Sequence, residues 1–174
     1  MEKKNKISKD IVPSDFTLSL ALVDLFPVLF FGLGSIFLGL ILKDYTFLIG
    51  AIICTLSGLI KVIWKFIVVL KKKNVWWMFL QMRIVMPISF ILMLIGLIIS
   101  VITINDFYNE VFKLFINIPT LVFYCLGIIG IVCMVIFCVK LDSSSSKDNW
   151  IEQFTNGLSQ LFIFIGTLIA FLNK

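Results

Sequence analysis

From Leu18 to Leu42 the chain carries a single charged side chain, Asp24, and apolar runs of similar length recur four more times. About 20 apolar residues in a helix cross the ~30 Å hydrocarbon layer of a bilayer, and a helix satisfies its own backbone polar groups there. A soluble domain could not bury these runs. Hydrophobic residues make up 60% of the 174-residue chain and charged residues only 14%, against about a quarter charged in ordinary soluble domains. The mean hydropathy is +1.10. The expected fold is all-α, a polytopic transmembrane helix bundle forming one integral membrane domain over residues 1–174.

A basic tail, residues 1–13, precedes spans at about 18–42, 45–70, 79–104, 119–139 and 150–171. The tail's lysines followed by an apolar run resemble a signal peptide. That run is too long for a signal core, however, and no small-residue cleavage site follows, so it reads as a retained first helix. Ser14 or Asp15 is placed to cap it, and Pro27 predicts a kink at Asp24–Pro27. Lys43-Asp44 makes a very short loop, and Asn74 to Trp77 reads as an interfacial segment. Residues 106–117 alternate two faces. Asp106, Asn109, Glu110, Lys113 and Asn117 form one, and Phe107, Val111, Leu114, Phe115 and Ile118 the other. This predicts an amphipathic helix on the outer surface. The serine run Ser143 to Ser146 reads as a linker.

Basic residues set the orientation. With the N-terminus cytoplasmic and five spans, Lys3, Lys4, Lys6, Lys9, Lys61, Lys65, Lys71, Lys72, Lys73, Arg83, Lys140 and Lys147 lie inside. Only Lys43, Lys113 and Lys174 lie outside. The positive-inside rule then gives a multi-pass cell-membrane protein with its C-terminus outside. Trp64, Trp76, Trp77 and Trp150 fall at the cytoplasmic boundary, as in an aromatic belt. The heavy use of Ile, Phe, Lys and Asn suits an AT-rich bacterial genome, and hence a bacterial inner membrane.

A net charge of +5 and a pI near 9.1 do not point to nucleic acid, because the basic residues sit between apolar runs rather than on one soluble face. The lipid bilayer and its anionic headgroups are the expected partners. The chain has no histidine, and Cys54, Cys125, Cys133 and Cys138 lie in apolar runs without a CxxC pair. This argues against a metal site, a disulfide framework or histidine-ligated haem, and the cysteines read as small buried apolar residues. Metal-dependent proteases and serine hydrolases would lack their usual histidines. No nucleotide-binding fingerprint occurs, so no cofactor is expected and enzymatic activity has no support. No motif ties the chain to a characterised family.

The polar residues of the spans gather at one depth. Asp24 lies in the cytoplasmic half of span one, Lys61 and Lys65 in that of span two, and Arg83 near the start of span three. Glu152, Gln153, Asn156 and Gln160 open span five from the same side. Lys61 and Lys65 share a helix face with Cys54, Ser57 and Gly58, and Glu152, Asn156, Ser159 and Gln160 form a stripe. Ionisable residues at such depth are costly and gather at functional sites. One reading is a cytoplasm-facing polar pocket that binds or transports a small solute, an ion or a lipid headgroup. The other is that the lysines snorkel, Arg83 meets headgroup phosphates, and Asp24 and Glu152 form ion pairs or cap helix starts. In that case the chain is an accessory or structural subunit whose stripe contacts a membrane partner or a second copy. Gly32, Gly34, Ser35 and Gly39, with Gly127 and Gly130, suit close helix contact. The 18 phenylalanines suit lipid-facing bulk.

Overall fold

The computed structural model describes residues 17–141 and 146–174. The basic tail, Ser14, Asp15, and Ser143 to Ser145 of the serine run lie outside the described residues. Within them the fold is an all-α bundle. The helices are α1 (Leu18–Val23), α2 (Leu25–Leu42), α3 (Tyr45–Lys71), α4 (Trp76–Thr103), α5 (Lys113–Ile116), α6 (Ile118–Lys140) and α7 (Ser146–Leu172), with a π-helical turn over Tyr108–Phe112 before α5. Five stretches are long and apolar enough to cross a membrane: Leu18–Leu42, Tyr45–Lys71, Trp76–Thr103, Ile118–Phe137 and Lys147–Leu172. The fold fits a multi-pass membrane protein.

Local chemistry sets the boundaries. Thr17 caps α1, its Oγ1 accepting from the Leu20 N–H at 3.2 Å. The first span breaks at Asp24, where Pro27 has no N–H to offer the Val23 carbonyl one turn back. Lys43 and Lys72 end α2 and α3 in the left-handed region, with φ of 54° and 51°, each returning its N–H to the carbonyl four residues earlier. The Asp44 carboxylate then accepts from Phe47 N at 2.7 Å and starts α3. Trp76 and Trp77 form the first turn of α4.

Packing follows the order α4–α3–α2–α7–α6, an open row rather than a closed ring. Small residues let the backbones approach, as usual between membrane helices. A Cβ on Gly96 would collide with the backbone of Phe47 across the α3–α4 contact. A Cβ on Gly127 would lie 2.5 Å from the Ile163 side chain across the α6–α7 contact. The Ser159 hydroxyl donates to the Gly127 carbonyl at 2.7 Å, and the Tyr124 hydroxyl meets Thr167 Oγ1 at 2.6 Å. Gln81 clamps α4 to α3, accepting from the Ser57 hydroxyl at 2.8 Å and donating to the Ser57 carbonyl at 3.0 Å. The Lys174 ammonium donates to the carbonyls of Leu40 and Ile41 at 2.8 and 2.9 Å, joining the far ends of α7 and α2.

Several side chains depart from the sequence reading. Trp64 is 1% exposed, packs against Phe79 and donates its indole N–H to Asn74 Oδ1 at 3.1 Å. It is a core residue, not part of a belt. Phe30, Phe37 and Phe171 pack with one another or with Phe164 across the α2–α7 contact instead of facing lipid. Cys54 is buried, but Cys125 faces outward. Residues 106–117 do not form one regular helix. Asp106 takes a φ of 60°, binds the Asn109 amide at 2.7 Å, and leads into the π-helical turn. Val111 is nonetheless buried against the bundle, with Phe107, Leu114 and Phe115 beside it. Ile118, assigned to that apolar face, is 76% exposed at the start of α6.

Candidate functional site

The break between α1 and α2 positions the central charged pair. Asp24 sits at the junction, about 9 Å along from the start of α1 at 1.5 Å per residue, with Pro27 one turn on. Its carboxylate forms an ion pair with Lys65 of α3. The two residues are 4% and 5% exposed. The pair holds both side chains inside the bundle. Glu152 and Lys61 both lie within electrostatic reach of Lys65.

Beside this pair, at the bundle end that carries Thr17, Lys71 and Lys147, lies a cavity of about 320 Å³. Asp24, Pro27, Val28 and Phe31 line it from the first span, and Cys54, Gly58, Lys61 and Val62 from α3. Glu152, Gln153, Asn156 and Gln160 form the α7 wall. Glu152 to Gln160 covers about 12 Å of depth. Met86 and Phe90 of α4 and Met134 of α6 complete the lining.

Six of the eight residues picked out from the sequence therefore share one cavity: Asp24, Lys61, Glu152, Gln153, Asn156 and Gln160. Lys65 joins through its ion pair with Asp24. Arg83 does not join. It is exposed on α4, and its guanidinium lies 4.9 Å from the centroid of the Phe79 ring, a cation–π contact at the bundle surface. Ser159, read as part of the polar stripe, turns away to hold α6.

The amides of Gln153, Asn156 and Gln160 make no hydrogen bond among the described residues, and Lys61 makes no ion pair there. A polar group without a partner at membrane depth costs several kcal/mol, so these groups call for water or a ligand. They offer amide donors and acceptors and one ammonium, arranged along a wall faced by apolar side chains. Groups of three or more cysteine or acidic side chains able to hold a metal ion do not occur among the described residues. Comparison with protein-family models, curated proteins and solved structures finds no match for the chain.

Proposed function

We propose that this multi-pass membrane protein binds a small polar ligand, whether solute, ion or lipid headgroup, in the cavity between α2, α3 and α7, as a step in its transport. The cavity opens toward the cytoplasmic face. The observation that carries this reading is a polar wall of Lys61, Gln153, Asn156 and Gln160, without ion-pair or hydrogen-bond partners among the described residues, around about 320 Å³ of space inside an apolar bundle. A wall that served only to join helices would have its amides paired across the contact, as Gln81 is with Ser57. The charge bias of the sequence supports the cytoplasmic direction.

The test is thiol accessibility. Asn156→Cys is introduced after the four native cysteines are replaced by serine or alanine. Membrane vesicles of each orientation are then treated with a charged, impermeant thiol reagent. Labelling is expected only where the cytoplasmic face meets the reagent. If Cys at position 156 stays unlabelled in both orientations but reacts after unfolding, the wall is dry. The accessory-subunit reading then replaces this one.

A further inference from the structure

The helices that close the two ends of the packing order, α4 and α6, both line the cavity, yet each packs mainly on its own inner neighbour, α3 or α7. The cavity wall is thus open sideways between them. Phe90 marks the opening: it lines the cavity and is still 47% exposed. Met86 of α4 and Met134 of α6 line the cavity with it. This gap faces the hydrocarbon layer, because α4 and α6 present isoleucine, leucine and valine outward along most of their lengths.

Charge and size define what fits. Asp24 pairs with Lys65, and Glu152 on the α7 wall also lies within electrostatic reach of Lys65, so both carboxylates of the cavity act on that one ammonium. Lys61 keeps an ammonium without an ion-pair partner among the described residues, next to the donor-bearing amides of α7. A volume of about 320 Å³ lies at the small end of ligand sites. It holds a headgroup but not an acyl chain as well. A ligand with an anionic head and a hydrocarbon tail can satisfy both halves of the site, the head on Lys61, Gln153 and Asn156 and the tail out through the gap. Methionine and phenylalanine at the gap suit a flexible chain, since thioether side chains adapt their packing.

We infer that the ligand of this cavity is an amphiphile with an anionic headgroup, entering sideways from the bilayer between α4 and α6 with its head on Lys61. The inference rests on the ligand-binding reading above and narrows it.

The test uses the full chain in neutral phosphatidylcholine nanodiscs, with three probes followed by native mass spectrometry and thermal shift. The first is oleoyl lysophosphatidate, which has both head and tail. The second is glycerol phosphate, which has the head alone. The third is monoolein, which has the tail with a neutral head. Lysophosphatidate is expected to bind at least tenfold more tightly than either of the others. Lys61→Gln and, independently, Asn156→Leu should weaken it at least tenfold while leaving monoolein retention and the ligand-free melting temperature unchanged. A lysophosphatidate carrying a photoreactive group midway along its chain should crosslink to peptides holding Phe90 and Met134.

Equal affinity for glycerol phosphate would overturn the amphiphile and leave a soluble-anion site. Binding of lysophosphatidate that is insensitive to both substitutions would mean ordinary surrounding lipid and overturn the inference. A gap filled by a second copy, seen as a dimer that excludes the probe, would overturn it too. If Cys at position 156 labels from the cytoplasmic face while no probe binds, the inference fails and the ligand-binding reading survives. If position 156 is dry, both fail.

Discussion

Removing the Asp24 carboxylate is the most telling single perturbation of the bundle. Asp24→Ala removes the Asp24 carboxylate from the Lys65 ammonium, which is 5% exposed, and leaves Glu152 as an acidic group within its electrostatic reach. Breaking one side of a buried pair costs about 3–5 kcal/mol. For a chain of this length each kcal/mol moves the melting midpoint by about 2–4 °C, so a fall of about 6–20 °C is expected. The pair lies about 9 Å from the helix start, and a charge away from the bilayer centre costs less, so the lower half of that range is the working figure. Thermal unfolding in a mild detergent, followed by the monodisperse fraction remaining, gives the readout. Asp142→Ala, in the polar run of sequence between α6 and α7, is the control. The double variant Asp24→Ala/Lys65→Met should recover most of the loss, because replacing a whole buried pair by apolar groups is often neutral or stabilising. A midpoint for Asp24→Ala within 2 °C of the control, a difference of less than about 1 kcal/mol, with strictly additive behaviour in the double variant, would show that the pair is wet and refute this reasoning.

Further outcomes follow from the packing and the charge bias. Gly127→Val should loosen α6 by about 1–3 kcal/mol through overpacking against Ile163, whereas Gly157→Ala should be near neutral, its Cβ meeting only Pro27 at 4.0 Å. Detergent melts of the two variants compare them directly, and equal effects would contradict the α6–α7 contact. Gln81→Leu removes the clamp on Ser57 and should cost about 1–3 kcal/mol, the penalty for an unsatisfied buried group, measured the same way against Gln153→Leu. Reporter fusions at the two termini should report opposite compartments, the N-terminal one cytoplasmic. The same compartment at both ends would rule out an odd number of crossings. Spin labels at positions 109, 110 and 113 should be mobile and solvent-accessible while position 111 is immobile, and uniform mobility over the segment would refute its docking.

The spans were legible because lipid imposes a length and a polarity on every crossing, and the short Lys43-Asp44 connection leaves little room between the first two. The depth of the polar groups was legible for the same reason. Direction around each helix was not. Arg83 lies about 120° around α4 from Ser89 at 100° per residue, and it is Ser89, with Met93, Gly96 and Ser100, that faces inward. A charge attracts the eye, but the small residues mark the contact face. Gln81 carried no one-dimensional signal, since its partner Ser57 lies 24 positions away on another helix. Trp64 had the spacing of an interfacial residue, and only the tertiary partner Asn74 shows why it can be buried. The π-helical turn at Tyr108–Phe112 escaped a search for a 3.6-residue period because it departs from that period.

The order of packing also sets an order in time. The contacts α2–α3, α3–α4 and α6–α7 join consecutive spans, whereas α7 meets the first span only across the length of the chain. During synthesis the first three spans can enter the bilayer and associate while α6 and α7 are still unmade. At that stage Lys61 has a half-built wall beside it, and when α7 enters, Glu152, Gln153, Asn156 and Gln160 face lipid until it reaches α2. The cavity therefore comes into being in the last docking step, which Lys174 fastens at the far end. Were the proposed headgroup ligand bound at that moment, it would act as a template for assembly, and the yield of folded protein in a cell would then depend on the lipids present while it is being made.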